Sequence, residues 1–219
     1  MGAEIAQVIS FSGLPVVVKD VDPDMLKKAE EHIREIFQSR VDKGKMTAGE
    51  LRDKMDLIEF TLDYDSFEDA DFIIEAVPEK MALKVKVFEE LGKVAPETAI
   101  FASNTSALSI SELGHKGGRP ERTIGMHFFS PAHVMKLVEV IPGLDTPQEV
   151  VDDTVQFAEG LRKIAVVVQE CPGFLVNRLL APYLGESMMA LQEGAATAGE
   201  IDEAMVEFGM PMGPFTLLD

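Results

Sequence analysis

The sequence predicts an α/β fold with a mostly parallel sheet, followed by the start of an all-α domain. Over residues 1–171, short apolar segments rich in β-branched side chains alternate with segments of helical periodicity, as in parallel α/β sheets. After Cys171 the periodicity is helical as far as Asp219. We therefore predict two domains, residues 1–171 and 172–219, of which the second is too short to bury much apolar surface alone.

Local signals justify the elements in order. Gly13 follows an apolar helical pattern as a left-handed stop, Asp22 and Pro23 supply an N-cap and a first-turn proline, and Thr47 with Glu50 makes a capping box. The predicted helices span residues 3–12, 23–44, a short stretch after 47, 81–94, 148–161, 174–192 and 200–208. The predicted strands span residues 14–18, 57–62, 72–77, 100–103, 123–128, 137–141 and 164–168.

Composition excludes several classes of function. The chain has 38 acidic and 20 basic residues, a formal charge of −18 and no basic stripe, which argues against nucleic acid binding. Its single cysteine, Cys171, cannot form an internal disulfide, and we find no signal peptide and no apolar run of about 20 residues. We expect a protein of the cytoplasm or an organelle interior, neither secreted nor inserted in a membrane.

Part of a dinucleotide-binding turn is recognisable. Such turns combine glycines at a helix N-terminus with an acid about 20 residues later that binds the ribose. Gly2 opens the first helix and Asp20 ends the next strand, and an acid there favours NAD over NADP. Taken alone, these two residues fit an ordinary α/β connection better than a cofactor site. Glu79, after another strand, is interpreted as a cofactor contact, as an acid at a helix N-terminus, or as both.

A histidine and a glutamate are expected to pair. Glu139 lies within an apolar strand, where an unpaired carboxylate is costly. If the strands at 123–128 and 137–141 form an antiparallel hairpin around His133, His127 and Glu139 face each other across it. The carboxylate would fix the ring tautomer, and the imidazole could then withdraw a proton from an alcohol. A purely structural ion pair is the alternative.

Other polar residues allow more than one interpretation. His32 lies on a charged helix and His115 in a glycine-rich loop, residues 114–118, so surface roles suffice for both. Residues 103–106, Ser-Asn-Thr-Ser, follow a strand and form either a ligand-binding cluster or an ordinary turn. Asn177, one turn into the first helix of the second domain, either caps buried backbone or points into a cleft. No spacing of His, Cys and carboxylates indicates a metal site.

These motifs occur together in the order typical of one family. They are Met-Gly-Ala-Glu-Ile-Ala at 1–6, Ile-Glu-Ala-Val-Pro-Glu at 74–79, Ser-Asn-Thr-Ser at 103–106, His-Phe-Phe-Ser-Pro at 127–131, Lys-Leu-Val-Glu at 136–139 and Pro-Gly-Phe-Leu-Val-Asn-Arg at 172–178. With them, the chain resembles the 3-hydroxyacyl-CoA dehydrogenase family over essentially its whole length. The resemblance implies a Rossmann-like, doubly wound domain, NAD as cofactor, and oxidation of L-3-hydroxyacyl-CoA to 3-oxoacyl-CoA in fatty-acid β-oxidation.

The resemblance also implies roles for single residues. His127 would be the catalytic base and Glu139 its orienting partner, while Ser106 and Asn177 would contact the substrate near the reacting carbon. The residues implied to contact NAD are Gly2, Asp20, Ala76, Val77, Glu79, Lys84, Asn104 and Ser106. No metal is implied.

Departures from the family pattern bear on the parent protein. Ser130 stands where many members carry asparagine, and with Gly-Met-Pro-Met-Gly-Pro at 209–214 it resembles the multifunctional fatty-oxidation proteins. That implies a fused or associated enoyl-CoA hydratase and thiolase; a relative acting on 3-hydroxybutyryl-CoA is the alternative. The family's first strand and first two glycines would precede Met1, and the helical domain, through which relatives form homodimers, would continue past Asp219. We expect this piece, truncated at both ends, to bind NAD weakly.

Two rival functions are a dehydrogenase of β-hydroxy acids that uses a lysine base and a noncatalytic relative that kept the fold. The His127 and Glu139 pair argues against the first, because a lysine base has no need of it. The retained His, Glu, Ser and Asn argue against the second.

Overall fold

Seven strands and nine helices make up the computed structural model, which describes residues 1–219. The strands are β1 Val16–Lys19, β2 Ile58–Thr61, β3 Phe72–Glu75, β4 Ile100–Ser103, β5 Thr123–Phe128, β6 Leu137–Pro142 and β7 Ile164–Val167. The helices are α1 Gly2–Phe11, α2 Pro23–Asp42, α3 Ala48–Met55, α4 Met81–Leu91, α5 Ile110–Lys116, α6 Gln148–Gly160, α7 Val176–Gln192, α8 Ala198–Phe208 and α9 Pro214–Leu218. These elements form two compact units, Met1–Cys171 and Pro172–Asp219.

Most elements lie within a few residues of their predicted bounds, since their caps form as expected. The Asp22 carboxylate accepts a hydrogen bond from the Asp24 N–H, and Thr47 and Glu50 form the predicted capping box. Gly13 has a φ of 95°, in the left-handed region that ends the first helix.

One loop prediction is wrong: His115 lies in helix α5. The serine at position 109 caps this helix by accepting from the Glu112 N–H. The sequence pattern predicts a turn at Gly114. In the structure a Cβ at this position would lie only 3.1 Å from Pro120 and from Thr123, so a larger residue would not fit without a shift. The glycine therefore serves close packing of the helix, and the sequence pattern cannot distinguish that from a turn. Helix α9 was not predicted either.

The predicted mostly parallel sheet is present in two parts. Strands β1 and β2 pair in parallel, and a second sheet has the order β3-β4-β5-β6-β7. Only the β5–β6 pair is antiparallel. Strands β1 and β3 are not hydrogen-bonded to each other, so the sheet is interrupted between them. Because β3, β4 and β5 are parallel, their carboxyl ends lie along one edge of the sheet.

Both faces of the five-stranded sheet are buried. One apolar cluster joins Ile5 and Val8 of α1 to Ile124 and Val138 of the sheet, and a second joins Phe101 of β4 to helices α4 and α5. The Phe101 ring packs edge-on against another fully buried ring, that of Phe88, with centroids 5.3 Å apart. Burying each of these large apolar side chains contributes roughly 1.5–3 kcal/mol. Because the two clusters are closely packed, they hold the strands and their carboxyl ends in fixed positions.

The second unit consists of helices α7, α8 and α9. A capping box of Thr197 and Glu200 opens α8, and the carboxylate of Asp202 accepts hydrogen bonds from the N–H groups of Phe215 and Thr216 at the start of α9. No helix of the chain combines the length and the apolar character that crossing a lipid bilayer requires.

Candidate active site

The hairpin of β5 and β6 brings His127 and Glu139 together. They are direct partners in the antiparallel register, and the Nδ1 atom of His127 lies 2.7 Å from a carboxylate oxygen of Glu139. The predicted cross-strand pairing is thus confirmed. His127 is 7% exposed and Glu139 only 1%, and the valines on either side of Glu139 are fully buried. A desolvated carboxylate in this position stabilises a nearby positive charge strongly.

The geometry fixes which ring nitrogen of His127 can act as a base. A carboxylate at Nδ1 selects the tautomer with its proton on Nδ1, so that Nε2 carries the lone pair. The imidazole also packs against the ring of Phe129, with centroids 4.5 Å apart and the planes tilted by 52°. The Phe129 ring and the Glu139 carboxylate therefore hold the imidazole of His127 in one orientation, as a general base requires.

Asn104 connects the end of β4 to the end of β5. Its backbone N–H donates to the carbonyl oxygen of Glu75, and its side-chain oxygen accepts a 2.8 Å hydrogen bond from the N–H of Phe128, the residue after His127. The side-chain oxygen is thus used within the protein, and the amide NH2 is the group that Asn104 can offer to a ligand.

A buried charge network lies at the ends of β3 and β4. The ammonium group of Lys84, a fully buried side chain, lies 2.9 and 3.0 Å from the two carboxylate oxygens of Glu75. The same carboxylate accepts from the N–H of Val77 at 2.6 Å and from the hydroxyl of Ser103 at 2.7 Å. Glu75 is 3% exposed, so these donors compensate its desolvation.

Glu79 lies at the outer side of this network. A carboxylate oxygen of Glu79 is 3.4 Å from the Lys84 ammonium, and the group accepts hydrogen bonds from the hydroxyl of Thr105 and the N–H groups of Ser106 and Ala107. Burial raises the pKa of the Glu79 carboxyl, but these hydrogen bonds and the lysine charge outweigh burial and hold the pKa below its usual value. Glu79 therefore holds the loop that follows β4.

Two of the residues expected to contact the cofactor lie at the ends of elements, Gly2 at the start of α1 and Asp20 after β1. Helix α1 begins at Gly2, and its N-cap residue, Met1, makes no side-chain hydrogen bond to the first backbone N–H groups. A Cβ on Gly2 would meet that of Ala76 at 3.8 Å, an ordinary contact distance. One oxygen of the Asp20 carboxylate accepts from the N–H groups of Val21 and Asp22, which orients the other. Lys84 is different, because its burial places it behind Glu79.

The structure also locates the two expected substrate contacts. Ser106 follows β4, where both its N–H and its hydroxyl bond to Glu79. Asn177 lies in the first turn of α7, in the second unit. No group of three or more His, Cys, Asp or Glu side chains is arranged to hold a metal ion.

Sequence reasoning named Ser103 only as part of the 103–106 cluster, and it missed the buried carboxylate of Glu75 that bonds to it. The signal was available, because Glu75 follows Phe-Ile-Ile in a strand, as Glu139 follows Leu-Val. An acid in an apolar strand requires a partner. The partner Lys84 is nine residues along the chain, on a helix whose packing against the sheet is not evident from spacing.

Comparison with known proteins identifies related sequences for both units. Residues 1–171 match the family model of the 3-hydroxyacyl-CoA dehydrogenase NAD binding domain, and residues 173–219 match that of the C-terminal domain. The whole chain is 41% identical to the glyoxysomal fatty acid beta-oxidation multifunctional protein MFP-a of Brassica napus, and 41% identical to the fatty acid oxidation complex subunit alpha of Psychrobacter arcticus. It spans 30% of the length of each of these relatives.

Solved structures give the same relationship. The (S)-3-hydroxybutyryl-CoA dehydrogenase of Ralstonia eutropha superposes with a TM-score of 0.94 at 36% identity, over 98% of this chain and 76% of that chain. The 3-hydroxybutyryl-CoA dehydrogenase of Escherichia coli superposes with a TM-score of 0.94 at 38% identity, over 98% of this chain and 46% of that chain.

Proposed function

Since the chain belongs to the 3-hydroxyacyl-CoA dehydrogenase family, with residues 1–171 as its NAD-binding domain, we propose that it oxidises L-3-hydroxyacyl-CoA to 3-oxoacyl-CoA, reversibly. The observation that carries this proposal is the buried contact of 2.7 Å between His127 and Glu139 at the end of β5. An imidazole held in this way is suited to take a proton from a secondary alcohol.

In the proposed mechanism, Nε2 of His127 accepts the hydroxyl proton of the substrate while the hydride leaves C3. Glu139 stabilises the imidazolium that forms and keeps its ring in place. NAD, when bound, supplies the acceptor of the hydride. Asn104 would meet the nicotinamide side with its amide NH2, and Ser106 and Asn177 would hold the substrate oxygen.

The remaining cofactor residues have simple physical roles in this proposal. The N-terminus of α1 at Gly2 would bind the pyrophosphate, because its N–H groups and the helix dipole attract anions. Asp20 would accept hydrogen bonds from a ribose, and its charge would oppose the 2′-phosphate of NADP. Ala76, Val77 and Glu79 would border the cofactor at the end of β3.

We extend the proposal to partners and compartment. The fatty-oxidation names of the relatives favour a role in fatty-acid β-oxidation, with an enoyl-CoA hydratase and a thiolase fused or associated, and a homodimer formed through the helical domain. The similarity to 3-hydroxybutyryl-CoA dehydrogenases favours, as a second candidate, a preference for short acyl chains. In both cases we propose the interior of a bacterial cell or an organelle as the location.

The test is a spectrophotometric assay of the protein at its natural full length. With acetoacetyl-CoA and NADH, we expect NADH to be oxidised, and with NADPH we expect much slower oxidation, because Asp20 repels the 2′-phosphate. Comparing acetoacetyl-CoA with 3-oxoacyl-CoA substrates of longer chain separates the two candidates. A protein that binds NADH but oxidises none with any of these substrates would be the noncatalytic relative instead.

A further inference from the structure

We propose that Glu75 is a positioning residue for the cofactor side of the site: its carboxylate holds Lys84 and Ser103 and thereby fixes Glu79 and Asn104. The inference rests on the proposed dehydrogenase function and adds to it a residue that none of the expected contacts includes. Glu75 would touch neither substrate nor cofactor, since it is 3% exposed, and would act only through its neighbours.

The first step of the argument concerns the sharing of Lys84. Its buried ammonium lies within 4 Å of two carboxylates, at 2.9 Å from Glu75 and at 3.4 Å from Glu79. The shorter contact anchors the lysine to the strand, which leaves Glu79 at the longer distance. The side chain of Glu79, which is 39% exposed, can therefore contact both the loop after β4 and solvent.

Neutralising Glu75 would change that balance. Glu79 would then be the remaining carboxylate within 4 Å of the buried Lys84 side chain. The ammonium would then draw Glu79 inward, away from the N–H groups of Ser106 and Ala107 that it now accepts from. The position of Glu79 and of the loop after β4 thus depends on the charge of Glu75.

The second step concerns Asn104. Glu75 holds the end of β4 twice: its carboxylate accepts from the Ser103 hydroxyl, and its backbone carbonyl accepts from the Asn104 N–H. Asn104 in turn accepts from the N–H of Phe128, beside His127. A continuous set of hydrogen bonds therefore runs from Glu75 to the catalytic histidine's own strand, and it fixes where the Asn104 amide can present its NH2 group.

A double-mutant cycle on NADH binding tests this action through Glu79. In the full-length protein we expect Glu75→Gln to weaken NADH binding about tenfold and Glu79→Gln to weaken it by a similar factor. Because Glu75 acts through Glu79, the double variant should bind NADH within about twofold of Glu79→Gln alone. The KM for acetoacetyl-CoA should change less than the affinity for NADH.

Controls separate positioning from loss of stability. Glu89→Gln removes an exposed acid from the same helix as Lys84 and should leave NADH affinity unchanged. Thermal unfolding of each variant shows that the binding assay is made on folded protein. If Glu75→Gln does not fold, Ser103→Ala keeps the ion pair and removes one hydrogen bond, and we expect it to weaken NADH binding about threefold.

The outcomes are distinct. Effects of Glu75→Gln and Glu79→Gln that multiply in the double variant would overturn the inference, and so would Glu75→Gln or Ser103→Ala with wild-type NADH affinity. A wild-type protein that binds NADH and turns over, with multiplying effects, leaves the proposed function standing and removes only the role of Glu75. A wild-type protein that does not bind NADH overturns both.

Discussion

Two buried glutamates, Glu139 and Glu75, occupy similar surroundings and have different partners. Both lie in strands of the same sheet among apolar residues, at 1% and 3% exposure. Glu139 faces His127, whereas Glu75 faces Lys84. As a side-chain type, an imidazole ordinarily exchanges its proton near neutral pH, whereas an alkyl ammonium ordinarily does so only at high pH. In the proposed mechanism, the same kind of desolvated carboxylate therefore supports proton transfer at His127 and holds structure at Lys84.

Burial alone therefore does not distinguish a carboxylate that could orient a base from one that only holds structure. A buried carboxylate always needs compensation, since its desolvation costs several kcal/mol. The role of the buried carboxylate then depends on whether its partner group can lose and regain a proton.

Replacing the carboxylate beside the base should affect catalysis above all. We expect Glu139→Gln to lower kcat by roughly 10³-fold, because the amide neither stabilises the imidazolium nor secures the tautomer. Affinity for NADH should stay near that of the wild type. Steady-state kinetics with acetoacetyl-CoA measures the first, and fluorescence titration measures the second. A kcat within a few-fold of wild type would mean that Glu139 is only a structural partner of His127.

Removing the structural glutamate should affect folding most. We expect Glu75→Ala to reduce the free energy of unfolding by about 3 kcal/mol, because Lys84 would remain buried without its main counter-charge. Urea denaturation checks this value. Glu35→Gln, which changes an exposed acid on α2, is the control with no expected loss. If Glu75→Ala lowers the free energy of unfolding by less than Glu139→Gln does, the assignment of structural and catalytic roles would be reversed.

Gly125 lies between the His127–Glu139 pair and the Glu75 network. Its partner on β4 is Ser103 and its partner on β6 is Ile141. A Cβ there would lie 2.9 Å from that of Ile141, so Gly125→Ala should push β6 outward and cost about 1–2 kcal/mol of stability. Because β6 carries Glu139, kcat should fall while NADH affinity changes little. Equal losses in both quantities would show that the two sites are not independent.

The smallest effect concerns pH. Since the pKa of Glu79 is lowered on folding, its charge contributes stability above the ordinary pKa of 4.5, and that contribution is lost as the pH falls through the lower folded value. Glu79 is partly exposed, so we expect less than about 1 kcal/mol. The unfolding free energies of wild type and Glu79→Gln should differ at pH 7 and converge in acid. A difference that is as large at pH 3 as at pH 7 would exclude charge as its cause.

The sequence predicts the hairpin site better than the network. The pairing of His127 with Glu139 follows from strand register, which depends only on counting residues from the centre of the hairpin. The pairing of Glu75 with Lys84 depends on how α4 packs against the sheet, and no local pattern encodes that packing. Lys84 was expected at the cofactor from the family motif alone, and its burial could not be inferred without the fold.

The helix caps and the positions of the strands were also predictable, because capping residues and β-branched runs act locally. Helix α5 was not, since Gly114 is needed for close approach to Thr123 and resembles a turn glycine in the sequence. The expected roles of Ser106 and Asn177 stay predictions, which substrate kinetics of their alanine variants can address.

The most direct test of the account is the turnover of His127→Gln measured together with its affinity for NADH. His115→Gln, which removes an exposed histidine that pairs with Asp145, serves as the matched control. If His127 is the base, its replacement should lower kcat by roughly 10²–10⁴-fold in the folded protein, with NADH binding close to wild type and the control unaffected. Turnover of His127→Gln within a few-fold of the control would contradict the account.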